Sequence, residues 1–197
     1  MNQQQKNRRL IIIIFAMTIV PFMIAWLLKE NPMYVTGRTN NGELILPPIV
    51  TTHEDYQGFD DFSDKNLNEL KGHWLIVNVI PQDNCNAICQ EALHKSKQLQ
   101  LMLSKELTRA RRIAIVLQPV GSELANTWWE DDTRLLKIKP SLNLIDKLHK
   151  IRHGDIPDGM IFFIDPLGNI MMQYEPGFDP YKAKNDLMHL LKISQIG

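Results

Sequence analysis

Two cysteines, Cys85 and Cys89, are the only thiols in a chain of 197 residues, and they stand four positions apart in the stretch PQDNCNAICQ. Residues at i and i+4 on a helix lie one above the other, with Cβ atoms roughly 5–6 Å apart. From there two sulfurs close into a disulfide after a modest adjustment, because bridged Cβ atoms are about 3.8 Å apart. They can also converge on one soft metal ion: two thiolates suit Cu(I), and a neutral imidazole would complete a three-coordinate site. A purely structural bridge is the third reading, common in exported domains, although closing so short a loop removes little chain entropy. The spacing leaves all three open. In the redox case the partial positive charge of a helix N-terminus gives the first cysteine more thiolate character. Cys85 would then attack and Cys89 would resolve the mixed disulfide.

Six histidines are available for a metal: His53, His73, His94, His149, His153 and His189. His94 lies on the same expected helix as the cysteines, nine residues past Cys85, and at about 100° per residue it points to the opposite side. His153 is the better candidate third ligand, since it ends a later helix just before Asp155-Ile156-Pro157. The alternative for His153 is a surface histidine favoured by the helix dipole.

The elements that must position these groups are legible from hydrophobic pattern. HWLIVNVI (73–80) is a continuous, β-branched run expected of a strand buried on both faces. A helix is expected from Cys85 to Leu107, with Asn84 as N-cap and Ile88, Ala92, Leu99, Leu103 and Leu107 on its apolar face. IAIVLQ (113–118) is a second strand, giving the strand–helix–strand order of a parallel sheet with a crossover. Residues 119–139 have no clear period. Leu135–Lys139 reads as a short strand, and Trp128-Trp129 is either a satellite cluster or an exposed anchor for a partner. A helix follows from its N-cap Ser141 to its stop at Gly154, then a hairpin of MIFFID and IMMQY about Pro166-Leu167-Gly168-Asn169, then a helix from Asp179 to about Ser194. The class is α/β, a thioredoxin-like mixed sheet with flanking helices. In that arrangement the loop before MIFFID faces the cysteine turn, and Pro157 is the candidate cis-proline.

One segment stands apart in composition. Leu10 to Leu28 carries no charge over 19 residues, and about 20 apolar residues span a bilayer core. Lys6, Arg8 and Arg9 precede it, so the positive-inside rule puts the N-terminus in the cytoplasm and the remainder outside. AWLLKENP offers no small-residue cleavage site, which favours an uncleaved anchor over a signal peptide. The expected organisation is a cytoplasmic N-terminus (1–9), a transmembrane anchor (10–28), an extended stalk rich in turn formers (29–58) and one thioredoxin-like domain (59–197). The chain holds 22 basic and 22 acidic residues, and residues 31–197 hold 18 and 21, so nothing supplies the basic footprint of a nucleic-acid binder.

LNELKGHWLIVNV, the Cys85-Asn86-Ala87-Ile88-Cys89 turn and MIFFIDPLGNI together resemble the Sco/SenC family. The resemblance covers roughly residues 59–118 and 155–195. It implies a single-pass protein of the inner (cytoplasmic) membrane with a periplasmic thioredoxin-like domain. The implied role is assembly of cytochrome c oxidase, by delivering Cu(I) to its subunit II site or by keeping that site's cysteines reduced. It implies Cys85 and Cys89 as the working pair and a respiratory oxidase subunit as client. Two positions depart from the family pattern: Gln90 follows Cys89 where the family has proline, and Pro157 stands where the family has its copper-binding histidine. The chain therefore resembles a divergent relative. Other classes compatible with the residues are a general thiol-disulfide oxidoreductase for exported clients and a non-catalytic docking protein.

Overall fold

The computed structural model of the chain describes residues 3–30, 40–130, 132–194 and 196, in two compact units, residues 1–39 and Asn40–Gly197. The described part of the first is one helix, α1 (Gln3–Glu30), with no buried residue. It is long and apolar enough to cross a membrane. Its uncharged middle makes every face apolar, the pattern of a helix meant for lipid rather than for one side of a core. The expected stalk residues 31–39 lie outside the described residues, as do Met1 and Asn2 of the expected cytoplasmic segment.

The second unit is built on a seven-stranded sheet of order β1-β7-β6-β3-β4-β5-β2. Its strands are β1 (Glu43–Val50), β2 (Tyr56–Gly58), β3 (Trp74–Ile80), β4 (Ala110–Val116), β5 (Leu136–Pro140), β6 (Ile161–Ile164) and β7 (Asn169–Tyr174). β3, β4 and β5 run parallel to one another, and the remaining pairings are antiparallel. The helices are α2 (Asp61–Lys65), α3 (Ala87–Leu101), α4 (Ser122–Asn126), α5 (Leu142–Arg152) and α6 (Pro180–Ile193). This is the thioredoxin-like mixed sheet with flanking helices that the apolar pattern predicts.

The central strand explains the layering. All seven residues of β3 are buried, and the alternation of side chains sends them to opposite faces. Trp74 and Ile76 join Ala92 and Leu99 of α3 and Leu187 and Leu191 of α6 in one cluster. Leu75, Val77 and Val79 join Leu144 and Leu148 of α5 in the other. Neither face of β3 meets water, so its run is almost wholly apolar and even Asn78 is buried.

Three expectations on the elements are corrected. Residues 43–50 and 56–58, read as stalk, are sheet strands: β1 pairs with β7 and β2 with β5. Residues 40–58 thus belong to the sheet unit, and Asn41-Gly42 leads into β1. They are held by Asp186 of α6, whose buried carboxylate accepts from the backbone N–H groups of Asn41 and Gly42, from Asn41 Nδ2 and from the Tyr174 hydroxyl. Pro47-Pro48 is tolerated because β1 is an edge strand and its register shifts between Leu44 and Ile49, so no ladder N–H is needed there. Second, α3 begins at Ala87 and is capped by Asn86 rather than Asn84. Third, α3 ends at Leu101, and Ser104–Arg109 is a 3-10 turn that opens with a positive φ of 54° at Ser104.

The other local readings are met. Ser141 caps α5 by accepting from the Leu144 N–H, and Asp179 caps α6 by accepting from Tyr181. Asp55 ties the start of β2 to α5: its carboxylate accepts from the Thr52 N–H, the Ser141 hydroxyl, Asn143 Nδ2 and Lys147 Nζ.

Candidate functional site

β3 ends at Ile80, and the chain turns through residues 81–86 before α3 begins. Cys85 falls just ahead of the cap residue, and Cys89 is the third residue of the helix. Asn86 Oδ1 accepts the Cys89 N–H at 3.0 Å, which satisfies one of the orphan amides of the first turn. Gln90 Nε2 donates to the Cys85 carbonyl at 3.2 Å. With the turn held at both ends, the Cα atoms of Cys85 and Cys89 are 5.2 Å apart and the two sulfurs form a disulfide.

The bridge is not at the surface. Cys85 is 3% and Cys89 2% exposed, in a cluster with Ile80, Leu93, Ala114, Val116, Ala125, Trp129 and Leu135. Phe59, Val120 and the half-buried Trp128 pack against this cluster. Trp129 meets Phe59 and Trp128 edge to face, with centroids 5.9 and 5.5 Å apart. The aperiodic stretch that carries the tryptophans is thus the cover of the cysteine pair. Of the two readings of Trp128-Trp129, Trp129 fits the buried cluster and not the exposed anchor.

A polar network lies under the same helix. Arg112 of β4, 1% exposed, donates to Ser96 Oγ, to the Leu93 carbonyl and to Asp132. Ser96 in turn donates to Asn78 Oδ1 on β3. Burial pushes the Arg112 guanidinium's pKa below its usual value, and the Asp132 carboxylate pulls it back up. The ion pair fixes the segment after Trp129 to the underside of α3.

The loop before β6 does face the cysteine turn. Asp158 Oδ2 accepts from Asn86 Nδ2 at 2.6 Å. Gly159 approaches so closely that a Cβ there would lie 2.7 Å from Ile88 Cγ2 and 3.0 Å from the Ile88 carbonyl oxygen, and its φ is +83°. Pro157 is in this loop, but the Ile156–Pro157 bond is trans. The cis bond among the described residues joins Leu46 to Pro47, so the cis-proline expectation is corrected. An X-Pro bond carries only a preference, and sequence does not reveal which isomer the surroundings select.

His153 is also not where the metal reading needs it. It is exposed, caps α5 with φ 54°, and its backbone N–H turns back on the helix. Among the described residues no three His, Cys, Asp or Glu side chains gather as a metal-binding group. His94 is exposed and contacts Gln98, consistent with its place on the far side of α3. The residues present therefore do not fit a Cu(I) site of two thiolates and an imidazole: the sulfurs are bonded to each other and His153 does not join them.

Two residues of this arrangement went unread in the sequence, Asn86 as the cap and Asp158 as its partner. The signal for the second was present, since Pro157-Asp158-Gly159 is a turn tripeptide, but nothing in one sequence says what a turn will touch.

Comparison with known proteins agrees with the geometry. A solution structure of apo Sco1 from Thermus thermophilus is 14% identical, with a TM-score of 0.56 over 79% of this chain and 99% of that one. The crystal structure of Arabidopsis thaliana ScoI with copper bound is 13% identical, with a TM-score of 0.51 over 64% of this chain and 89% of that one. At such identities the likeness is one of fold. Cyclase-like protein 3 of Oryza sativa subsp. japonica is 35% identical over 86 residues, 39% of this chain, and the chain spans about a third (32%) of that relative's length. Residues 74–194, from the first residue of β3 to the cap of α6, match the family described as "Transmembrane-like, thioredoxin-like, C-terminal domain", and with more than half of its length so matched the chain belongs to that family.

Proposed function

We propose that the chain is a membrane-tethered, exported thioredoxin-like factor that assists assembly of a respiratory oxidase's copper site by thiol–disulfide exchange through Cys85 and Cys89. The observation that carries this reading is the Cys85–Cys89 bridge at the strand-to-helix turn, opposite the pre-β6 loop. In the reduced protein the Cys85 thiolate attacks a client disulfide. A bond forms between Cys85 Sγ and one client sulfur while the other client sulfur leaves and takes a proton. Cys89 then attacks Cys85 Sγ, closing the bridge and releasing the second client thiol, so two electrons pass to the client. An exported dithiol reductant restores the pair. The oxidase context rests on the resemblance to the Sco/SenC family, and the anchor with its basic N-terminal flank supports a periplasmic domain.

Metal delivery is the reading the site supports less, because among the described residues no third His, Cys, Asp or Glu joins the sulfurs. Complementation of a deletion strain tests the proposal. Terminal-oxidase activity should return with the intact chain, stay low with the double variant Cys85→Ser/Cys89→Ser, and in that variant stay low when copper is added. Full activity of the double variant would leave a docking role. Stoichiometric Cu(I) binding by the reduced protein, lost in the double variant, would move the reading to metal delivery.

A further inference from the structure

One side-chain hydrogen bond ties the cysteine turn to the loop before β6. Asn86 uses its two amide atoms in opposite directions: Oδ1 accepts the Cys89 N–H, and Nδ2 donates to Asp158 Oδ2 on the loop before β6. The cap that orders residues 86–89 is therefore oriented by a carboxylate 72 positions further along the chain. The other oxygen of Asp158, Oδ1, is buried without a hydrogen-bond partner. The carboxylate's hydrogen bond to Asn86 is thus made by Oδ2 alone.

We infer that Asp158 is a positioning residue of the Cys85–Cys89 couple, acting through Asn86 to hold the turn in the conformation that brings the sulfurs together. This deepens the exchange reading above and rests on it. Ordering the turn raises the effective concentration of one thiol at the other and so favours the closed bridge over the dithiol. An interaction equally strong in both states would cancel from the redox equilibrium. One that specifically preorganises the closed state does not.

The test is a redox titration of the full chain in detergent, using dithiothreitol buffers, which measure the couple whether or not it exchanges with any exported client. If the orientation of the cap contributes what a helix cap usually does, Asp158→Ala should weaken bridge formation about fivefold. That corresponds to a potential less negative by about 20 mV for a two-electron couple. Asn86→Ala should shift it in the same direction, and adding Asp158→Ala to Asn86→Ala should change nothing more. Asp158→Asn keeps an oxygen for Asn86 and should restore the wild-type equilibrium. An unchanged equilibrium in Asp158→Ala overturns the inference, as does a shift that adds to that of Asn86→Ala or one that Asp158→Asn reproduces. If Asp158→Ala does not accumulate folded, Asp158→Ser carries the same test, its hydroxyl being too short to reach Asn86. Failure of the exchange reading is separate: it would appear as wild-type oxidase activity in the Cys85→Ser/Cys89→Ser strain.

Discussion

Asp55 illustrates how one side chain ties a lead-in segment to a helix. Burial pushes its carboxyl up, but the Lys147 ammonium, the Thr52 amide and the Ser141 and Asn143 donors outweigh burial and hold the pKa at about 2, below the ordinary 3.8. A carboxyl whose folded value is depressed contributes stability that is present above its unfolded value and lost as pH falls through the folded one. The contribution should therefore be full above about pH 4 and gone near pH 2, amounting to about 2 kcal/mol. Urea denaturation at several pH values checks this, and Asp55→Asn should flatten the acid limb of the profile. The polar groups of the site were only partly legible. The cysteine spacing announced that the sulfurs could meet, because helical geometry is local. That both are buried was not legible, since their cover comes from residues 59, 120 and 128–129, which no local rule connects to them.

Among the elements, the strands of the apolar core were the readable ones. β3 and the second half of β4 carry the largely apolar runs that a doubly buried strand requires, and the caps of α5 and α6 follow from Ser141 and Asp179. β1 was not readable: its Pro47-Pro48 and the preceding Asn40-Asn41-Gly42 are breaker signals, and only pairing with β7 and the grip of Asp186 make it a strand. The start of α3 was read at Asn84 and lies two residues later, at Asn86, whose side chain also donates to the distant Asp158. The contact between the pre-β6 loop and α3 leads to a prediction. Gly159 combines a left-handed φ with van der Waals contact on Ile88, so Gly159→Ala should destabilise the domain by about 2 kcal/mol or more, read as a lower urea midpoint. A second concerns the aromatic cover. Trp128→Ala should expose the bridge and raise its rate of reduction by dithiothreitol about threefold or more, because exchange rates depend on access to the attacked sulfur. An unchanged rate would show that Trp128 does not limit access.

For the chain as a whole, the long apolar helix and the sheet unit answer to different solvents. α1 exposes Phe15, Phe22 and Trp26, among many other large apolar side chains, all along its length, the surface of a helix long and apolar enough to cross a membrane. The protein should stay with the membrane pellet on alkaline carbonate extraction. A reporter active only outside the cytoplasm, fused after Ile193, should be active. Release into the soluble fraction, or an inactive reporter on a stably expressed fusion, would contradict the proposed topology. The α/β class was legible in the sequence because strand and helix patterns alternate over residues 73–118 and again from residue 141 onward.

The borders of the sheet have a consequence of their own. On one side β1 carries two prolines that cannot donate a hydrogen bond, and on the other β2 is only three residues long. Prolines and shortness both blunt a sheet edge against an incoming strand, so backbone-to-backbone joining of one copy to another is disfavoured at either rim.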